Sequence, residues 1–385
     1  MKKNVTQINS DQCYGCELCG TVCGTKAIQF VRDAEGFVYP EVKEEVCVNC
    51  GHCFNFCPAN ESNIRPTEHN KKVYAMSLKD SELLRKSSSG GAAFAFMSYA
   101  IREKYVVFGV KYDDDFKGCH YEPAIDMNGV ECFRGTKYIQ AKKNNIYSEL
   151  NEYISQGRRI LFIGLPCEVA ACKLFLKDNA NSVVFIELVC HGVTSPRVAS
   201  EYISYLERKK SNIRWMTIRE KKYGWTPACI RVEFENSKSF SRLFDSTEYG
   251  FAFRNISRMA CYNCKYKGDN RVADISIGDF WGANSEDEFW DSNGVSVVFV
   301  HSEEGRRFID EVKKNSDVSV TETTYEKGIE NNSLILRPRS MGIRKKYSEI
   351  YRSQGIFVAR KKTEGLKGMS TRLLRNLYYH FKRQK

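Results

Sequence analysis

Hydrophobic and polar positions along the 385-residue chain change period twice. The first 65 residues are polar and punctuated, with short apolar runs at 25–31 and 36–42 that fit small strands. Residues 61–72 are polar, include Pro66 and read as a linker. Beyond them the pattern lengthens. Apolar runs at 73–78, 105–112, 159–164 and 183–189 predict strands, and amphipathic stretches at 90–104, 145–156, 166–177 and 196–210 predict helices. Such alternation predicts a mixed α/β domain with a largely parallel sheet, which later strands at 213–218, 230–234, 274–277 and 295–300 are expected to extend. Near the end, Leu366, Met369, Leu373, Leu377 and Phe381 recur at three- and four-residue steps, so they share one helical face, widened by Leu374 and Tyr378. The expected organisation is an α+β ferredoxin-like domain over 1–65, an α/β domain over 66–325, and a basic tail with an amphipathic helix over 326–385.

Sixteen cysteines change the picture more than any other feature of the composition. Eight fall in two runs, CYGCELCGTVCG from Cys13 and CVNCGHCFNFCP from Cys47, each spaced C-x2-C-x2-C-x3-C. In the two-cluster ferredoxin pattern the fourth cysteine of each run ligates the other run's cluster. That rule groups Cys13, Cys16, Cys19 and Cys57 around one 4Fe-4S cluster and Cys47, Cys50, Cys53 and Cys23 around a second. Gly24 stands where the second run has Pro58; the ligands are unaffected. A pair of zinc sites is the competing reading, favoured by separated CxxC pairs more than by two identical four-cysteine runs. The first nine residues lack the apolar core of a secretory signal, and no apolar run approaches the roughly 18 residues needed to span a bilayer. The expectation is a cytoplasmic protein, whose reduced thiols serve metal ligation.

The net charge of +12 is uneven: fifteen of the 59 Lys and Arg, against two acids, lie from Arg337 to Lys385. The body is near neutral, which argues against a nucleic-acid-binding core. Arg372, Arg375, Lys382, Arg383 and Lys385 surround the apolar stripe of the last helix, a combination that suits an anionic membrane surface at the inner face. The alternative is a terminal helix packed on its own core.

A second cysteine constellation is dispersed. Cys167 follows a strand in GLPC, Cys190 follows the next in CHG, and Cys261 and Cys264 form a CxxC pair about 70 residues later. Carboxyl ends of parallel strands face one crevice, so these four thiols are candidates for a third cluster. Against that stands the reading of Cys167 and Cys190 as small buried residues, with the CxxC pair on zinc. Cys119, Cys132, Cys172 and Cys229 share no ligand spacing and are expected to be buried. No GxGxxG fingerprint and no HExxH pair occurs, so neither a Rossmann dinucleotide site nor a zinc hydrolase is supported.

GLPCEVAACKLFL, CHGVTSP, CYNCKYKG and ADISIGDFWG, with SSSGGAAFAF and RGTKYIQA, resemble the beta-subunit family of coenzyme F420 hydrogenases and dehydrogenases. The resemblance implies an iron–sulfur flavoprotein that binds FAD and moves electrons between a ferredoxin-like redox protein, clusters, flavin and a small organic substrate. It also implies the alternative of a deazaflavin oxidoreductase subunit, and some family members are linked to surface-polysaccharide enzymes; a further hypothesis makes the chain a non-catalytic relay subunit whose chemistry happens on a partner. Under it, Ser88, Ser89, Gly90 and Gly91 before a helix become candidates for a pyrophosphate, through free amides and the positive helix end. Lys137 becomes a candidate partner of the flavin ring and Asp279 of a flavin hydroxyl or cluster loop; His191 is a candidate donor to either. A serine N-cap, a surface lysine, a turn aspartate and a capping histidine are the plain readings of the same residues.

Overall fold

The computed structural model describes residues 3–67 and 72–381. Lys382, Arg383 and Lys385 of the expected basic helix, and part of the expected linker, lie outside these. In the first unit the strands β1 (Ile28–Arg32) and β2 (Val38–Val42) pair antiparallel. The two cysteine runs flank them, each containing one short helix, Leu18–Thr21 and His52–Asn55.

The body is built on eight strands: β3 (Lys72–Leu78), β4 (Val106–Tyr112), β5 (Cys119–Ala124), β6 (Ile160–Gly164) and β7 (Val183–Leu188), then, beyond a separate small sheet, β11 (Ile275–Asp279), β12 (Ser296–Val300) and β13 (Val318–Thr323). The small sheet is an antiparallel meander of β8 (Ile213–Glu220), β9 (Cys229–Phe234) and β10 (Ser239–Leu243). Order in the large sheet is β13-β3-β12-β11-β7-β6-β4-β5. Parallel pairing is confined to β4, β6, β7 and β11; β5, β12, β3 and β13 join through antiparallel pairing, although β3 runs in the same direction as the parallel strands. The sheet is therefore mixed, and the strands near 213 and 230 do not extend it as expected. A period of two cannot distinguish one sheet from another, because it reports which face is buried and not which neighbour accepts the hydrogen bonds.

Both faces of the parallel centre are covered, which explains its unbroken apolar runs. Phe108, Ile160, Phe162 and Phe185 point to the helices Ile146–Ser155, Pro166–Leu176 and Pro196–Lys209. Val107, Leu161, Ile163 and Val184 point the other way, to the helices Ala92–Arg102 and Glu303–Asn315. Of the four unassigned cysteines, Cys119 and Cys172 are buried in these layers and Cys229 is buried on β9 of the small sheet, whereas Cys132 is exposed. It lies on the short helix Met127–Phe133, whose apolar side is carried by Val130 and Phe133 instead.

The region after 326 is not a free tail. The helix segment Arg344–Thr363, interrupted at Gly355, packs on the body through Tyr347, Tyr351, Ile356 and Ala359. It also clamps the first unit. Glu35, in the β1–β2 turn and 2% exposed, accepts two bonds from Arg344 (3.2 and 2.5 Å), two from Arg352 (3.0 and 2.8 Å) and one from Ser348. Burial raises the Glu35 carboxyl, but these donors outweigh it and hold the group below the usual carboxylate range. The last helix, Leu366–Phe381, is tethered through its charges, Arg372 to Glu364 and Arg375 to Asp245, and leaves Leu366, Leu373, Leu374, Leu377 and Tyr378 exposed. No helix among the described residues is long and apolar enough to cross a membrane.

Arg344→Met leaves a buried carboxylate short of its main partner and should destabilise the seam by about 3–5 kcal/mol. Anaerobic chemical denaturation measures this, and limited proteolysis should release the first unit earlier. Because Glu35 is held low, its contribution is complete above the ordinary carboxyl value of 4.5 and is lost as pH falls through its depressed one. An Arg344→Met protein as stable as the parent would show that the clamp carries no stability.

Candidate functional site

Three thiol groups can be traced from local structure. Cys13 and Cys16 lie on the loop that turns into the helix Leu18–Thr21, Cys19 lies within that helix, and Cys57 comes from the far run just past the helix His52–Asn55. All four line one cavity, bounded by Tyr14, Val38 and Pro58. The swapped cysteine thus reaches the first run's space. Cys16 is buried, and burial with the neighbouring Cys57 and Cys13 pushes its thiol far up. Burial likewise pushes Cys57 up to about 11, with backbone N–H groups of Ala59 and Asn60 acting against the shift.

Cys53 is buried near Cys23 and Cys47 on the outer side of the unit, while Cys50 is exposed. Backbone N–H groups of Val5 and Ala27 donate to the sulfurs of Cys53 and Cys23, both at 3.2 Å. Asn4 Nδ2 lies 3.7 Å from Cys47 Sγ.

The dispersed constellation also converges. Cys167 enters the helix Pro166–Leu176 just beyond β6, and Cys190 follows β7, its parallel neighbour. Cys261 lies in the turn Met259–Asn263 and Cys264 closes it. All four line a second cavity together with Tyr14, Glu168 and Lys267. Burial first, then the other thiols, pushes Cys261 up to about 12 and Cys264 up to about 11. Such thiols are neutral until a metal displaces their protons. Glu168 does not compete for that role, since its oxygens accept from Lys143 (2.6 Å), Tyr121 (2.5 Å) and the Leu165 N–H (2.9 Å). Among the described residues no three His, Cys, Asp or Glu converge closely enough to share a single metal ion. The cavity-lining thiols surround a space, and an all-sulfur donor set matches iron–sulfur ligation.

Tyr14 lines both cavities. It is buried, its ring 5.4 Å from that of Tyr266, and its hydroxyl accepts from the Lys265 N–H. Its neighbours close the seam: Tyr147 donates to Cys16 O (2.6 Å), Gln140 to Tyr14 O (3.0 Å) and Tyr266 to Pro58 O (2.7 Å).

The residues singled out for flavin form a tight network of their own. A Cβ on Gly90 would lie 2.2 Å from Met76 O and 2.4 Å from Ser296 N, so glycine there permits close backbone packing on β3 and β12. Gly91 caps the helix Ala92–Arg102 without a side-chain bond. Ser89 Oγ donates to Val295 O, and Ser88 Oγ accepts from Thr136. The Ser88 and Ser89 carbonyls accept from Arg219 and Lys221, each at 2.7 Å. Asp279 takes two bonds from Arg219 (2.9 and 3.1 Å) and one from Trp225 (3.0 Å). His191 faces this network and Lys267; burial, then Lys267, pushes it down to about 4, so it is neutral near pH 7. Lys137 stands apart, donating to four carbonyls, of Cys132, Phe133, Arg134 and Gly135 (2.7–3.2 Å), at the end of the helix Met127–Phe133. Sequence reasoning missed Arg219 and Lys221. Their signal was two cations two positions apart where a half-buried strand ends, Arg219 inside β8 and Lys221 just beyond it.

Two cysteine-rich units fused through a buried seam define an iron–sulfur redox protein, and comparisons with known proteins agree. Residues 157–326 match the family described as the C terminus of the coenzyme F420 hydrogenase/dehydrogenase beta subunit, and residues 12–61 match the 4Fe-4S dicluster domain. The chain is 23% identical over 334 residues to one of the subunits of the F(420)H(2) dehydrogenase of Methanosarcina mazei, covering 81% of this chain and 85% of the relative. It is 25% identical over 272 residues to the beta subunit of the F420-dependent formate dehydrogenase of Methanocaldococcus jannaschii, covering 67% and 64%. A chain of the F420-reducing [NiFe] hydrogenase complex of Methanosarcina barkeri superposes with a TM-score of 0.48 at 19% identity, over 78% of this chain and 95% of that one. The chain is an iron–sulfur electron-transfer protein in which a 4Fe-4S dicluster domain precedes a segment matching the C-terminal domain of the coenzyme F420 hydrogenase/dehydrogenase beta subunit.

Lys137→Met leaves those helix-end carbonyls without their donor and should cost about 1–3 kcal/mol of stability with cofactor content unchanged. Loss of flavin at unchanged stability would instead make Lys137 a cofactor contact. Thermal unfolding and flavin quantification on the same anaerobic sample separate the two.

Proposed function

We propose that this chain is the electron-transfer subunit of a deazaflavin-linked oxidoreductase. In this reading it relays electrons between an organic two-electron carrier and a ferredoxin-like redox partner. The observation that carries the proposal is the shared wall at Tyr14: the cavity of Cys13, Cys16, Cys19 and Cys57 abuts that of Cys167, Cys190, Cys261 and Cys264. With the outer set of Cys23, Cys47, Cys50 and Cys53, this arrangement supports three ligand sets in file from the surface inward. Clusters, when bound, supply one-electron transfer, and a flavin such as FAD supplies conversion to two-electron chemistry. The protein's part is to hold, align and dry these groups. Buried thiols ligate, Tyr14 and Tyr266 exclude water between the inner sets, and the outer set remains open to a partner. The polar network of Ser88, Ser89, Arg219, Lys221 and Asp279 opposite His191 is the proposed seat of the flavin or deazaflavin; its excess of cations suits an anionic cofactor. Two of the relatives are named as F420-dependent or F420H2-oxidising proteins, which favours the deazaflavin role over a free-standing flavoenzyme with its own substrate.

The test is anaerobic purification with iron, sulfide and flavin quantified together. Three cubanes require about twelve iron and about twelve sulfide per chain. Reduced deazaflavin should then bleach the cluster absorbance, and Cys190→Ser should stop that transfer while leaving the dicluster unit loaded. Zinc without sulfide, or clusters indifferent to reduced deazaflavin, would overturn the proposal.

The exposed apolar stripe of the helix Leu366–Phe381, beside Lys361, Lys362 and Lys367, favours attachment to an anionic membrane surface. Binding to phosphatidylserine vesicles should be salt-sensitive, absent from neutral vesicles and lost on deleting residues 366–385 with the clusters retained. No binding to anionic vesicles at low salt would exclude that surface.

A further inference from the structure

Among the described residues the largest completely buried side chain is a cation, Arg258, 0% exposed. It leaves the loop before Cys261 and crosses the seam into the ferredoxin unit. Its Nε donates to Cys13 O (2.5 Å), one terminal nitrogen to Gln140 Oε1 (3.0 Å), and the other to Val38 O (2.8 Å) and to Cys13 Sγ (3.3 Å). The Tyr39 ring covers it at 4.1 Å. Space for it is set by the first cysteine run. A Cβ on Gly15, whose φ is +68°, would lie 2.6 Å from the guanidinium, so CYGC admits the arginine where a larger residue would collide.

Among the described residues no carboxylate lies within ion-pair distance of Arg258. Glu17 feels its charge only at longer range. A wholly buried guanidinium hydrogen-bonded to neutral acceptors alone is costly. A thiolate at Cys13 removes that cost, because the sulfur is already placed as an acceptor. A 4Fe-4S cluster ligated by four thiolates is net negative and becomes more so on reduction. The outer set has no such cation on its sulfurs among the described residues; its polar neighbours are the neutral side chains of Asn4, Thr25 and Asn49 and backbone N–H groups. Water at the exposed Cys50 also stabilises charge there, but a fully buried fixed charge bonded to a ligand sulfur is the stronger effect.

We propose, on the ligand sets assigned above, that Arg258 is a positioning residue that stabilises the reduced form of the cluster held by Cys13, Cys16, Cys19 and Cys57. The inner cluster is thereby the electron sink of the ferredoxin unit. One electron leaves the outer cluster, which is oxidised, and one arrives at the inner cluster, which is reduced; no bond breaks and no proton moves. The backbone of Arg258 ties this device to the third thiol set, its N–H donating to Val193 O and its carbonyl accepting from the Cys261 N–H.

The test is a redox titration of the full-length anaerobic protein followed by electron paramagnetic resonance, with iron and sulfide measured on the same samples. Cys57→Ser identifies the inner signal. Wild-type protein should reduce its inner cluster at a higher potential than its outer one. Arg258→Gln should lower the reduced-to-oxidised ratio of the inner cluster at least tenfold at fixed potential, about 59 mV for one electron, and leave the outer signal unmoved. Arg258→Lys, which keeps the charge, should restore most of the shift. An unmoved inner potential in loaded Arg258→Gln overturns the proposal, as does a wild-type protein whose outer cluster reduces first. If Arg258→Gln loses the inner cluster, the wild-type order decides. A wild-type protein with no cubane at the inner set removes the ligand assignment and this role together, whereas a loaded protein with an unmoved potential removes this role alone.

Discussion

Burial of the loop from Cys13 to Leu18 against the α/β body is the constraint on which the rest depends. Tyr14, Cys16, Leu18 and Ala59 belong to the same apolar cluster as Phe162, Val169 and Tyr147 of the body, so the two units share one core. A ferredoxin unit by itself is small, and most of its surface faces water. Here one side of it is dry. Desolvation raises the Cys16 thiol, forces every backbone carbonyl of the loop to find a donor, and brings two thiol-lined cavities to either side of one tyrosine.

Drying the seam also decides which charges the body carries inside. Lys143–Glu168, Arg271–Glu187, Arg344–Glu35 and Arg219–Asp279 are ion pairs whose members are all buried or nearly so. Pairs of this kind stabilise little over apolar residues of the same size, yet losing one partner is costly. Their value here is positional. Glu168 fixes the N-terminal turn that carries Cys167, Glu187 lies at the end of β7 before Cys190, and Glu35 locks the ferredoxin hairpin to a helix more than 300 residues away in the chain. Arg219 and Asp279 do the same between the small sheet and the end of β11. Each pair joins separate elements of the chain; Lys143–Glu168 and Arg271–Glu187 lie close to a thiol, and Arg219–Asp279 belongs to the polar network opposite His191.

Much of this was legible before folding. A C-x2-C-x2-C-x3-C run constrains three thiols within a few bonds of each other, so its chemistry is local and survives translation into structure almost unchanged. The central strands were equally legible, because both faces are buried and the apolar runs admit no other period. The serine–glycine run was legible as a turn before a helix. That its glycine serves close packing on β3 and β12 was not, since a steric requirement and a ligand requirement select the same residue.

By itself the sequence determined the ligand chemistry of the first unit, the alternating strands and helices of the second, and the amphipathic last helix. Each is set by interactions within a few residues or by the burial of one face. Only the tertiary structure decided that Cys167, Cys190, Cys261 and Cys264 share a cavity, that 213–220 and 229–234 form their own sheet, and that Arg344 and Arg360 are buried while Leu373 and Leu374 are exposed. It also decided that a lone arginine in the loop before Cys261 reaches a cysteine 245 residues earlier. Contacts of that separation cost chain entropy and are fixed by the whole core, so no local pattern announces them.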